Sequence, residues 1–184
     1  MDKSEIRNCV RARKSLLDPE ERSEAASAVF AMLEKTAAYM MSTNILLYHS
    51  LPDELPTTDF LAGSHADKRF FLPRVNGVNL EILPYDRSRM HLGAFNIEEP
   101  DGTDVQDISD IDMVIVPAVA YDRRGNRIGR GKGFYDRLLR DTRAIKVGVI
   151  FDCQLIDDFE AENHDVAVDY VITERGIIRT SRKI

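Results

Sequence analysis

The chain has 184 residues, 43% of them hydrophobic, which is enough to build one domain with a sizeable core. Its net charge of −6 argues against nucleic acid as a partner, because binding to a phosphate backbone requires many Lys and Arg contacts. The charged start leads into no apolar signal region, and no apolar run is long enough to cross a bilayer. We therefore expect a single domain over residues 1–184 that acts as a cytoplasmic monomer with no membrane or nucleic-acid partner.

The two cysteines, Cys9 and Cys153, lie far apart in the sequence. Neither has a second Cys or a His at the spacing that metal ligands require. The sequence therefore indicates neither a disulfide framework nor a zinc site, and a reducing compartment is expected.

The first half of the chain predicts two helices followed by alternating strands and helices. Residues 3–17 have the pattern of a basic amphipathic helix, and Asp18 and Pro19 then provide an N-cap and a first helical residue. Strands are predicted at 44–48, 70–73 and 78–83, with a helix at 56–64 after the first.

The second half predicts the centre of a parallel sheet. Residues 96–110 are rich in acids and turn residues and are expected to form an exposed connection. Apolar runs at 112–119, 147–150 and 168–172 are typical of strands buried on both faces, with a helix over 133–140. The predicted fold is a three-layer α/β/α sandwich around a mostly parallel, Rossmann-like open sheet, with ligands beyond the carboxyl ends of the strands.

The most informative segment is the Gly-rich, basic stretch of residues 122–140. Seven basic and two acidic residues give it a net charge of +5 within an acidic chain. Its glycines allow the backbone to approach an anion, a helix begins at its end, and Arg130 and Lys132 add full charges. The spacing matches neither a Walker A loop nor the dinucleotide fingerprint. The segment predicts a polyphosphate site, with a solvated basic loop as the alternative.

Residues 126–136 read Asn-Arg-Ile-Gly-Arg-Gly-Lys-Gly-Phe-Tyr-Asp, and this run closely resembles the signature of the 5-formyltetrahydrofolate cyclo-ligase (5,10-methenyltetrahydrofolate synthetase) family. Lys3 and Arg7 match the family's Lys-x-x-x-Arg, and residues 50–57 resemble its Asp-Glu-x-x-Thr segment. Residues 71–74, 96–100 and 162–174 resemble further family segments in the same order. Phe134 replaces the Tyr of many relatives, and Glu160 replaces a frequent Pro. The resemblance spans nearly the whole chain.

The resemblance implies three groups of site residues. ATP is expected to bind to Lys3, Arg7, Arg127, Ile128, Gly129, Arg130, Gly131, Lys132, Gly133, Phe134 and Tyr135. The folate substrate is expected to contact His49, Glu54, Phe95 and Tyr135, and Mg²⁺ is expected to bind to Asp136 and Asp169. From the residues alone, the two N-terminal cations could be a solvated helix face, and the two aspartates a first-turn acid and a strand-edge charge.

The implied reaction is the closure of 5-formyltetrahydrofolate to 5,10-methenyltetrahydrofolate with release of ADP and phosphate. The formyl oxygen is phosphorylated by ATP, and N10 then attacks the formyl carbon. Such a reaction requires alignment and neutralisation of charge more than a protein nucleophile. Arg130, Lys132 and Tyr135 are the predicted catalytic residues. The alternatives are another phosphate-handling enzyme, such as a sugar-phosphate isomerase or a transferase, and a non-catalytic RNA-binding module.

Overall fold

The computed structural model describes residues 1–180, so residues 181–184 of the predicted domain lie outside the described residues. Short 3-10 helices are present at Ala94–Asn96, Ile108–Asp110 and Asp152–Gln154. No helix within residues 1–180 combines the length and the apolar character needed to cross a membrane. The α-helices of this part are α1 (Lys3–Lys14), α2 (Pro19–Glu34), α3 (Ala37–Met41), α4 (Thr58–Ala62) and α5 (Phe134–Leu139).

A capping box fixes the start of α1. The carboxylate of Asp2 accepts a hydrogen bond from the backbone N–H of Glu5 at 2.8 Å, and the carboxylate of Glu5 accepts one from the N–H of Asp2 at 2.8 Å. These bonds satisfy N–H groups that have no partner inside the helix. The local sequence therefore determines where α1 begins, and with it the positions of Lys3 and Arg7 on its first turns.

The strands of the described residues are β1 (Asn44–Leu46), β2 (Arg69–Asn76), β3 (Asn79–Pro84), β4 (Met90–Leu92), β5 (Glu98–Pro100), β6 (Met113–Val116), β7 (Ala120–Tyr121), β8 (Arg127–Ile128), β9 (Ile145–Val149), β10 (Tyr170–Thr173) and β11 (Gly176–Arg179). Seven of them form the main sheet, in the order β11-β10-β9-β6-β1-β2-β3. The five central strands pair in parallel, whereas the edge strands β3 and β11 are antiparallel to their neighbours. Two small hairpins, β4–β5 and β7–β8, lie outside this sheet.

Apolar cores cover both faces of the sheet, as the central strand β6 illustrates. Successive side chains of a strand point to opposite faces. Met113 and Ile115 pack with residues of α2, α3 and α4, while Val114 and Val116 pack with Tyr121 and with Leu139 of α5. All four β6 side chains are buried. The unbroken apolar run in the sequence is thus explained by a strand between two layers.

The predicted fold class is confirmed: the sheet is mostly parallel and is packed between helices. The strands predicted at 44–48, 70–73, 78–83, 112–119, 147–150 and 168–172 are all present, with boundaries shifted by a few residues. The prediction for 96–110 was wrong in part, because this segment contains β5, in which Glu99 and Pro100 are buried. Glu99 is buried because its carboxylate accepts a hydrogen bond from the N–H of Val75 in β2 at 2.9 Å.

Candidate ligand site at the carboxyl edge of the sheet

A cavity of about 480 Å³ lies at the carboxyl ends of β1, β2 and β6, which is a size typical of small-molecule sites. It brings together nearly every residue that the sequence predicted for the site. The predicted residues that line it are Lys3, Arg7, His49, Glu54, Phe95, Arg127, Ile128, Gly129, Arg130, Gly131, Lys132, Gly133, Phe134, Tyr135 and Asp136. Asp169 does not line it.

A buried aspartate holds the base of the Gly-rich segment. Asp122 is fully buried, and its carboxylate accepts hydrogen bonds from the backbone N–H groups of Arg124 and Asn126, each at 2.9 Å. The side-chain amide of Asn126 donates a third bond at 2.9 Å. Gly125 closes this turn at φ 82°, where a Cβ would lie 2.5 Å from the carbonyl oxygen of Val168. The turn returns the chain through β8 towards the cavity.

The tip of the segment depends on glycine. Gly131 and Gly133 have φ values of 97° and 68°, in the left-handed region that other residues rarely adopt. α5 begins directly after Gly133. Because neither glycine carries a side chain, the backbone between them is open to the cavity.

Two cations of α1 lie beside this segment. The Nε of Arg7 donates a hydrogen bond to the carbonyl oxygen of Gly129 at 2.9 Å. The Nζ of Lys3 pairs with Glu162 at 2.7 Å and with Asp165 at 3.1 Å. The structure thus places both residues at the cavity, and it does not leave them on a solvated helix face.

Arg127 is a nearly buried cation of the cavity with one donor group that has no acceptor among residues 1–180. Its side chain is only 7% exposed, and its Nε is buried with no hydrogen-bond partner among residues 1–180. One terminal nitrogen lies 3.4 Å from Asp136 Oδ2, and the guanidinium lies 5.5 Å from the centroid of the Tyr135 ring. A buried donor without an acceptor is costly. Arg127 therefore lines the cavity with an unused capacity to bind an acceptor.

The cavity is also lined by acidic and aromatic residues. Glu54 accepts a hydrogen bond from the N–H of Leu51 at 2.9 Å, and burial raises the pKa of its carboxyl group. Burial, together with the nearby charge of Glu54, also raises the pKa of Tyr135, so its hydroxyl stays protonated. His49 Nε2 lies 3.5 Å from Glu98 Oε2. These groups offer several acceptors and one hydroxyl donor to a ligand.

Two further aromatic rings of the lining, those of Phe95 and Phe134, lie close together. The rings of Phe95 and Phe134 are 6.2 Å apart between centroids, and the Nζ of Lys132 lies 5.1 Å from the Phe95 centroid. Phe95 has φ 57° and ψ 27°, a strained conformation for a residue with a side chain. The strain is local to the point where the 93–97 segment meets the Gly-rich segment.

The structure does not bring Asp169, a predicted Mg²⁺ residue, to the cavity. It precedes β10, at the amino edge of the parallel strands, where its carboxylate accepts the N–H of Lys146 at 2.9 Å. The cavity lies at the carboxyl edge, so Asp169 and Asp136 are not brought together. Asp165 lines the cavity instead, and the residue after it, Val166, donates its N–H to Asp136 Oδ1 at 3.2 Å.

Three further residues of this region were not singled out from the sequence. Asp53 binds Arg130, Asp165 binds Lys3, and Arg137 binds the backbone carbonyl of Lys132. Asp53 could have been suggested by its position next to Glu54. The other two are charged residues whose contacts depend on the tertiary structure, and the sequence carries no signal for them.

The fold and the cavity define an open α/β protein with a cationic ligand site at the carboxyl edge of its sheet. Residues 1–174 match the 5-formyltetrahydrofolate cyclo-ligase family. A relative named 5-formyltetrahydrofolate cyclo-ligase from Escherichia coli (strain K12) is 32% identical over 174 residues, covering 89% of this chain and 96% of the relative. The chain therefore belongs to the 5-formyltetrahydrofolate cyclo-ligase family of enzymes, and the resemblance seen in the sequence is confirmed.

Solved structures agree with this assignment. The structure of 5,10-methenyltetrahydrofolate synthetase from Aquifex aeolicus matches with a TM-score of 0.88 and 31% identity, covering 100% of this chain and 96% of that one. A second 5,10-methenyltetrahydrofolate synthetase, from Mycoplasma pneumoniae, matches with a TM-score of 0.75 over 95% of this chain and 99% of that one. At 22% identity, the second match supports the fold alone.

Proposed function

We propose that this enzyme converts 5-formyltetrahydrofolate into 5,10-methenyltetrahydrofolate with ATP and Mg²⁺, releasing ADP and phosphate. The observation that carries the proposal is the shared cavity. The Gly-rich segment supplies cations to it, and Glu54 and aromatic residues line the same space. We assign the cations to the nucleotide side of the cavity, and Glu54 and the aromatic residues to the substrate side. A phosphoryl donor and a pterin could therefore meet in one enclosed space.

The residues of the cavity fit a nucleotide polyphosphate. Arg127 lines the cavity, and its guanidinium keeps an Nε–H without an acceptor among residues 1–180, so the protein does not use all of its donors. Lys132 has its Nζ in the same cavity, and the left-handed glycines leave the backbone accessible. Lys3 and Arg7 extend the positive surface towards α1. These contacts support ATP as the ligand of this side.

The fit to magnesium rests on two carboxylates, Asp136 and Asp165. Both line the cavity, and Val166 connects them through its N–H bond to Asp136. Within residues 1–180, no three His, Cys, Asp or Glu side chains converge on one point. Proteins often hold Mg²⁺ with one or two carboxylates and let substrate phosphates supply other ligands. We propose Asp136 and Asp165 as the carboxylates near the ion.

The roles of the protein groups follow from charge and position. When bound, ATP supplies the phosphoryl group that activates the formyl oxygen before N10 attacks the formyl carbon. Arg130 and Lys132 neutralise negative charge on the transferred group, and backbone N–H groups near Gly131 and Gly133 add donors. The protonated hydroxyl of Tyr135 orients the reacting groups without losing its proton.

The substrate side orients the pterin. The carboxylate of Glu54 suits the N–H donors of a pterin ring, because an ionised carboxylate only accepts hydrogen bonds. Phe95 and Phe134 provide flat apolar surfaces that exclude water. His49, paired with Glu98, shapes this side and is not assigned a proton-transfer role.

The test is the absorbance of the methenyl product, followed with purified protein, 5-formyltetrahydrofolate and MgATP, together with ADP release. Lys132→Ala should lower the rate roughly 10²-fold, since removal of one preorganised charge typically has this effect. Arg140→Ala is the matched control, because Arg140 is an exposed cation of the same basic segment that does not line the cavity. A folded wild-type enzyme that binds MgATP but forms no product would refute the folate assignment.

We also propose that the enzyme works as a cytoplasmic monomer without a nucleic-acid or membrane partner. Its acidic net charge supports the absence of a nucleic-acid partner, because polyanions repel an acidic surface. Light scattering of the purified enzyme tests the monomer, and dimers that persist on dilution would contradict it.

A further inference from the structure

Arg130 makes its ion pairs on the substrate side of the cavity. One of its terminal nitrogens lies 2.7 Å from Asp53 Oδ1 and 3.4 Å from Glu54 Oε1. Arg130, which is proposed to neutralise the transferred phosphoryl group, therefore contacts Glu54, which is proposed to bind the pterin. The two adjacent acids are 51% and 13% exposed, so Asp53 is at the surface and Glu54 points inwards.

The two acids differ in their other partners. Asp53 also binds Lys14, whose Nζ lies 3.0 Å from Asp53 Oδ2 and 2.8 Å from its carbonyl oxygen. Lys14 is 5% exposed, so the ammonium group of this second pair is buried, whereas the Asp53 carboxylate is half-exposed. Glu54 has Arg130 as its only paired cation within residues 1–180. Asp53 can therefore release Arg130 and stay neutralised, whereas Glu54 becomes an uncompensated acceptor.

We propose that Asp53 is a positioning residue that holds Arg130 across Glu54 until nucleotide phosphates compete for the guanidinium, so that nucleotide and folate favour each other's binding. This inference rests on the proposed function. A triphosphate brings several negative charges beside Asp53 and Glu54, and one guanidinium cannot neutralise all of them. When the phosphates take Arg130, Glu54 becomes available to the N–H donors of the pterin.

Lys14 decides how strongly Asp53 competes for Arg130. With Lys14 present, the charge of Asp53 is already partly balanced, and Arg130 is released more easily. Without Lys14, Asp53 would rely on Arg130 alone. The geometry therefore predicts opposite effects on nucleotide affinity for changes at Asp53 and at Lys14, although both changes break the same ion pair.

Calorimetric titration with magnesium and the non-hydrolysable analogue AMP-PNP separates this mechanism from a structural role. Asp53→Asn should tighten nucleotide binding about threefold, the change that a half-exposed ion pair supports. Lys14→Met should weaken it by about the same factor. If both variants shift the affinity in the same direction, or neither shifts it, Asp53 acts only through the fold and the proposal fails. Absence of nucleotide binding by the wild type would instead refute the proposed function.

The coupling itself is measured as the affinity for 5-formyltetrahydrofolate with and without saturating magnesium and AMP-PNP. In the wild type we expect the nucleotide to tighten folate binding about fivefold or more. In Asp53→Asn this ratio should fall below about twofold, because Arg130 is no longer held across Glu54. This measurement does not depend on Lys14→Met, so it decides the question even if that variant does not fold. An unchanged ratio in Asp53→Asn would overturn the proposal.

Discussion

Arg137 of α5 donates a hydrogen bond from its Nε to the carbonyl oxygen of Val78 at 2.8 Å, and a terminal nitrogen donates to the carbonyl of Lys132 at 2.8 Å. The guanidinium thus ties the tip of the Gly-rich segment to the turn between β2 and β3. Val75 and Leu80, on either side of this turn, line the cavity. The position of the Lys132 backbone is therefore linked to the wall that faces it.

Arg137→Ala should raise the KM for MgATP about three- to tenfold, because the lost hydrogen bonds free the segment that carries Lys132. Arg137 is exposed, so the free energy of unfolding should change little. Steady-state kinetics at saturating folate measures the effect, with Arg140→Ala as the control on the same stretch. A KM equal to that of the control would show that Arg137 does not position the segment.

Asp165, proposed here to lie near Mg²⁺, and Asp169, predicted from the sequence, can be compared by a matched pair of substitutions. Asp165→Asn should increase the Mg²⁺ concentration needed for half-maximal activity, because a carboxylate at the cavity is lost. Asp169→Asn should leave that concentration unchanged, since Asp169 lies at the opposite edge of the sheet. Activity is measured against free Mg²⁺ at fixed ATP. The opposite result would restore Asp169 as the metal residue.

Asp165 should also contribute to acid stability. Burial alone would raise the pKa of Asp165. Hydrogen bonds from the N–H of Glu162 and from Lys3 outweigh this effect and lower the pKa. A lowered pKa in the folded state means that the stabilisation is present above the unfolded value, about 4, and is lost as pH falls through the folded value. Urea unfolding at pH 7 and pH 3 should show a larger difference for wild type than for Asp165→Asn.

Folate affinity should respond to the ionisation of Glu54. Burial raises the pKa of this carboxyl group, so it takes up a proton at a higher pH than an exposed glutamate does. We expect the affinity for folate to weaken as pH falls towards the raised pKa, because the protonated form accepts fewer hydrogen bonds. Titrations between pH 5 and pH 8 should show this slope in the wild type. A similar slope in Glu54→Gln would assign it to another group.

Gly148 of β9 packs directly beneath Tyr121, and a Cβ there would lie 2.5 Å from two atoms of the ring. Tyr121 is fully buried and its hydroxyl donates to the carbonyl of Val116 at 2.9 Å, so the ring cannot easily move away. Gly148→Ala should lower the free energy of unfolding by about 1–3 kcal/mol, as overpacked cores do. Chemical denaturation measures this value. A loss below about 0.5 kcal/mol would indicate that the core around Tyr121 can adjust.

Short-range patterns in the sequence predicted most of the fold and the Gly-rich part of the cavity lining. The Gly-rich segment could be recognised because its glycines, its cations and the following helix are adjacent in the chain. Asp169 could not be placed, because the sequence does not show that it lies before its strand begins, at the edge away from the cavity. Glu99 was missed because an acid is buried only when a distant group, here the N–H of Val75, binds it.

The ion pair between Lys3 and Asp165 joins residues separated by 162 positions in the chain. Lys3 is therefore synthesised well before Asp165. A nascent or truncated chain that stops before Asp165 would have the Gly-rich segment but would lack this wall of the cavity. We expect nucleotide binding to begin only after Asp165 has been added, so that binding reports that both partners of this ion pair are present.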